Sequence, residues 1–116
     1  MRKEQFELWN NLNDKNTFRE VQEYIKKVNG IRGFSNQRIE HTMLLLMEEV
    51  GELAKAIRKE KTTMLIDNNR ISNYDTIESE AADIFIVLCT LCNNMNIDLF
   101  SSIKDKEKNN IERNWK

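Results

Sequence analysis

The chain contains no proline and only three glycines among its 116 residues. Proline breaks helix interiors and glycine weakens them, so their scarcity points to long helices joined by few loops. Cysteine is nearly absent too. Cys89 and Cys92 sit inside an apolar stretch, without the strand–helix setting of a redox C-x-x-C or the extra ligands of a zinc site. They read as two buried thiols on a core helix. No apolar run approaches the ~18 residues that span a membrane. The segment from Met1 to Asn16 is charged and polar, unlike a signal peptide, so a cytoplasmic protein without a membrane partner is expected. An excess of one charge is also missing. A net charge of −1 argues against a nucleic-acid partner held by general electrostatics. An anionic substrate would then need local cations or a bridging metal.

What the chain does have is 40% hydrophobic and 32% charged residues, enough for a modest core in one domain spanning residues 1–116. Thr17-Phe18-Arg19-Glu20 is a capping-box pattern, and Phe18, Val21, Tyr24, Ile25 and Val28 follow at helical spacing. Gly30 and Gly33 should close that helix near Asn29, with Ser35 capping the next. The second helix is predicted from about Asn36 to Lys59, with Met43, Leu46, Val50, Leu53 and Ile57 as its apolar stripe. A short helix around Phe6 to Leu12 is a further candidate. Lys61 to Tyr74 lacks periodicity and reads as a loop beside a site. Asp75-Thr76-Ile77-Glu78 starts a third helix, to about Met95. Its run from Ala81 to Cys92, interrupted only by Asp83 and Thr90, marks it as central. Asp98 begins a fourth helix whose second half is dominated by charge. The expected fold is an all-α bundle of about four helices.

Two acidic pairs stand out. Glu49 and Glu52 share a helix face one turn apart, with Glu48 beside them. A solvated acidic face explains that cluster as well as a site does. Glu80 and Asp83 repeat the spacing in the most apolar helix, where an unpaired carboxylate costs several kcal/mol unless neutralised, paired or metal-bound. Ion pairs with some of the 18 basic residues are one solution. A metal is the other, because i, i+3 carboxylates on two helices recur as bundle-core metal sites. With oxygen ligands alone, such a set suits Mg²⁺ or Mn²⁺ rather than zinc.

Glu49-x-x-Glu52 followed by Glu80-x-x-Asp83 resembles the E-x-x-E … E-x-x-D signature of the MazG-like all-α nucleoside triphosphate pyrophosphohydrolases. Arg32-Gly33-Phe34 is similar to the family's lead-in, and Lys106, Asn110 and Arg113 resemble the Lys-x-x-x-Asn-x-x-Arg pattern of its last helix. The resemblance implies that Glu49, Glu52, Glu80 and Asp83 hold Mg²⁺ and through it a nucleoside triphosphate. Water would attack the α-phosphorus and pyrophosphate would leave. Lys106, Asn110 and Arg113 would contact the substrate, Lys106 also serving catalysis, and Glu48 or Glu49 would orient water. For Lys106 and Arg113 a solvated basic helix end is the plain alternative. Phosphoribosyl-ATP and dUTP pyrophosphohydrolases of the same superfamily fit the pattern too, as does a helical interaction module whose acids merely pair with lysine and arginine. The resemblance also implies a homodimer or homotetramer, and the apolar third helix asks for neighbours all round, which a chain this short supplies poorly. His41 reads as an ordinary helix residue. Trp9 and Trp115 read as packing residues before base-stacking ones.

Overall fold

The computed structural model describes residues 1–67 and 75–115. Five helices follow in order: α1 (Arg2–Asn10), α2 (Phe18–Arg32), α3 (Ile39–Lys61), α4 (Ile77–Asn94) and α5 (Leu99–Ile111). The described residues contain no strand, and the all-α expectation holds, with the short first helix as a fifth element. Among them no single helix is long and apolar enough to cross a membrane.

The chain divides into two compact units, Met1–Gln37 with Cys89–Lys116, and Arg38–Leu88. In the first, α2 starts at a complete capping box. The Glu20 amide donates to Thr17 Oγ1 at 3.2 Å, and the Thr17 amide donates to Glu20 Oε1 at 2.8 Å. These bonds hold the Glu20 carboxyl below its ordinary range. Only Gly33 ends the helix, at φ 82°, while Gly30 continues it. Glycine alone enters the left-handed region without a Cβ penalty, so the stop falls where the backbone needs it.

Ile25, Val28, Cys89, Leu91 and Cys92 form the apolar core of this unit, both thiols being free as expected. Burial, followed by the neighbouring Cys92, pushes the Cys89 thiol up to about 11. Several polar groups of the core are paired, although Asn94 Nδ2 is buried without a hydrogen-bond partner. Asn29 Nδ2 donates to Thr90 Oγ1 at 2.7 Å. Gln22 Nε2 donates to Asn93 Oδ1 and to the Ile97 carbonyl, both at 2.9 Å, and its Oε1 accepts from the Leu99 amide at 3.1 Å. Such bonds fix register because a buried polar atom without a partner is costly. Asp98, the residue before α5, makes no capping bond of its own side chain. It takes Arg19 Nε at 2.8 Å and Ser101 Oγ at 2.7 Å instead.

The second unit holds α3 and the first two thirds of α4. Ser35 does not cap α3. Ser35 and Asn36 lie in a turn closed by the Gln37 amide on the Phe34 carbonyl at 3.3 Å, and the helix begins at Ile39 after Arg38, which supplies no side-chain cap. At the start of α4, Thr76 Oγ1 accepts from the Ser79 amide at 3.1 Å, the bond a helix cap makes. The single apolar stripe expected on α3 is two. Thr42 and Ala56 are buried and Leu46 and Leu53 half-buried on one face, whereas Met43, Met47, Val50 and Ile57 are exposed on another. Nor does this one chain enclose α4: Ala81, Ala82 and Ile86 are exposed. Of the expected loop, Lys61 belongs to α3, residues 62–67 have no regular structure, and 68–74 lie outside the described residues.

Candidate metal centre

The four predicted ligands all fall in the second unit, on α3 and the first turns of α4. Helical spacing lays Glu49 on the half-buried flank of α3, and Glu80 and Asp83 one turn apart on α4. One carboxylate oxygen from each of Glu49, Glu80 and Asp83 lies within 4.8 Å of the others. Glu80 is buried, Glu49 and Asp83 half-buried. Glu52 is not one of this triplet, although its charge acts on both Glu49 and Glu80. It is exposed, with Oε2 3.5 Å from Lys55 Nζ one turn along the same helix. Glu48 is exposed on the same flank of α3.

The electrostatics of the triplet are unfavourable to its own charge. Burial first, then the Asp83 carboxylate, push the Glu49 carboxyl above its ordinary range, and side-chain hydrogen bonding with Glu80 opposes them. Burial likewise raises Glu80, helped by Asp75, Glu49 and Asp83. Asp75 precedes α4 and so shares no helical face with Glu80, which is why spacing alone does not pick it out. Glu80 Oε2 is buried with no hydrogen-bond partner. A native structure keeps a buried, unpartnered carboxylate oxygen at a cost, and a bound cation is one way to offset it. The donor set is oxygen only, which suits a hard divalent ion. The residues therefore fit a metal.

The basic residues predicted for substrate belong to the other unit. Lys106 and Asn110 lie on α5, but α5 ends at Ile111, so Arg113 does not continue their face. Its amide bonds the Asn110 carbonyl at 3.2 Å, and its guanidinium lies 4.4 Å from the centre of the Trp115 ring. Trp115 Nε1 donates to the Asn110 carbonyl at 2.8 Å, and Asn110 Nδ2 donates to Glu107 Oε2 at 3.2 Å. A spacing of four and three shares a face only while the helix lasts, and here it stops first. His41 is an exposed helix residue, as expected, and Trp9 is exposed too.

The fold and the triplet define a class of all-α domains with a candidate oxygen-ligand metal centre across two helices. Within that class the MazG nucleotide pyrophosphohydrolase domain matches residues 37–114, which includes all four predicted ligands, and the chain belongs to that family. No curated protein and no solved structure matches the chain.

Proposed function

We propose that the chain is a Mg²⁺-dependent nucleotide pyrophosphohydrolase that cuts a nucleoside triphosphate into the monophosphate and pyrophosphate. The observation that carries this reading is the meeting of Glu49, Glu80 and Asp83 in a member of the MazG nucleotide pyrophosphohydrolase domain family. Mg²⁺ held by these three residues, with Glu52 as the fourth ligand, would neutralise the charge of the triphosphate. Mn²⁺ would substitute, being another oxygen-seeking ion. Glu48 or Glu49 orients the attacking water and takes its proton. The new bond joins the water oxygen to the α-phosphorus, and the bond from that phosphorus to the bridging oxygen breaks, releasing pyrophosphate. Lys106, Asn110 and Arg113 remain our assignment for substrate contact on the strength of the sequence pattern. We further propose a homodimer or homotetramer, supported by the exposed apolar face of α3.

Hydrolysis in ¹⁸O-labelled water tests the reading. The label should appear in the monophosphate, with unlabelled pyrophosphate as the other product. Label in pyrophosphate would place the attack at the β-phosphorus. An absence of pyrophosphate release across a panel of nucleoside triphosphates with Mg²⁺ would leave only a helical interaction module.

A further inference from the structure

The first unit contains a cleft that the carboxylate reading does not use. Arg2, Gln5, Phe6, Trp9, Tyr24 and Arg32 line a cavity of about 250 Å³ between α1 and α2. Its chemistry is two-sided. Three aromatic rings supply flat apolar surface, and Phe6 and Trp9 meet edge to face at 6.3 Å and 83°. That contact occupies one face of one ring and leaves the others uncovered by the pair, and both residues are more than half exposed. Helix α1 buries none of its residues, so these rings are not there to fill the core.

The other side is cationic. No carboxylate among the described residues forms an ion pair with Arg2 or Arg32. Gln5 Oε1 accepts from Arg32 Nε at 2.8 Å. That bond steadies the guanidinium plane while using one of its five N–H donors, and four remain on the two terminal nitrogens, the edge that forks onto phosphate. A guanidinium supported from one side beside an open aromatic face is complementary to a flat ring carrying an anionic group. The volume of about 250 Å³ lies just under the ~300–1,000 Å³ of pockets for drug-sized ligands, which suits a small ligand carrying a flat ring and one anionic group.

We infer that this cleft binds a nucleoside monophosphate, its base against Trp9 and Phe6 and its phosphate on Arg32 and Arg2. The site needs no metal and does not rest on the proposed hydrolysis. Fluorescence of a Trp115→Phe protein, in which Trp9 is the one tryptophan left, reads it directly. With EDTA present, AMP should quench Trp9 saturably, and more tightly than adenosine or inorganic phosphate alone. Arg32→Gln should weaken AMP about tenfold or more, the loss of a charge-assisted hydrogen bond. Arg32→Lys should fall between, since it keeps charge without the fork. Circular dichroism checks that each variant folds. The quenching should persist in Glu49→Gln, which separates this site from the carboxylates. No saturable quenching, or quenching unmoved by Arg32→Gln, overturns the inference. So does Trp9 emission that follows protein concentration and ignores AMP, because the rings would then be covered by a second copy.

Discussion

At the scale of single residues, Glu49 and Glu80 are held in a state that the metal-free protein resists. A carboxyl whose folded pKa is raised binds its proton more tightly when folded than when unfolded. Its penalty is therefore absent below the ordinary value of 4.5, grows as pH rises through the raised folded value, and is complete above it. Glu49→Gln removes the charge and keeps the shape. In EDTA it should be more stable than the parent at about pH 7.5, with the gap closing by about pH 4.5. Urea midpoints for the two proteins across that range check the sign. A gap that widened towards acid would mean that Glu49 is stabilised by its neighbours. Under the proposed metal centre, Mg²⁺ should raise the melting temperature of the parent, and the same substitution should abolish that rise, because a ligand stabilises only the state that binds it. The i, i+3 spacing on two helices made four candidate acids legible, Glu49, Glu52, Glu80 and Asp83, because it needs no knowledge of side-chain rotamers, but it did not single out the three that meet. It did not reveal that Glu52 lies against Lys55 or that Arg113 lies past the end of α5. Both depend on where a flexible side chain or a fraying helix end settles.

At the scale of elements, the clearest test concerns the two glycines of α2, both of which the sequence offers as helix stops. In the structure Gly30 is an ordinary helical residue, and a Cβ there would meet nothing closer than Ser35 Oγ at 3.7 Å. Gly30→Ala should therefore stabilise the protein by about 0.5–1 kcal/mol. Gly33→Ala should cost about 1–2 kcal/mol, although a Cβ at that position meets no neighbour within 4 Å, because φ 82° is strained for any L-residue with a side chain. Denaturant unfolding of the pair measures both, and equal effects would show that the helix end lies elsewhere. Helix ends with side-chain caps were easy to read ahead of the structure, as with Thr17 and Glu20 in α2. The start of α3 was not, because Arg38 contributes no cap and the preceding residues close a turn of their own.

At the scale of the whole molecule, α3 carries apolar residues on two faces, and they sort by exposure. Met43, Met47, Val50 and Ile57 recur at intervals of four, three and seven, a seam of the kind that pairs helices, and all four are exposed in the single chain. Periodicity identified these residues as apolar but merged them with the inward face, because positions three and four apart satisfy either stripe. Sedimentation equilibrium at micromolar concentration should find a mass at least twice 13.8 kDa. Val50→Lys should shift it towards that of one chain, since a charge in the seam must be desolvated for the copies to meet. A parent protein already fully active at 13.8 kDa would refute the oligomer. Finally, a metal at the proposed centre would meet the unpartnered oxygen of Glu80 and tie the survival of the chain to its supply of ions. A protease cuts the opened chain, and when opening and closing are fast the cutting rate follows how often the chain opens. A divalent ion that offsets the buried charge makes opening rarer, so starving the protein of magnesium should shorten its lifetime before any loss of catalysis is counted. Pulse proteolysis with and without Mg²⁺ measures this, and Glu80→Gln should be degraded at one rate in both.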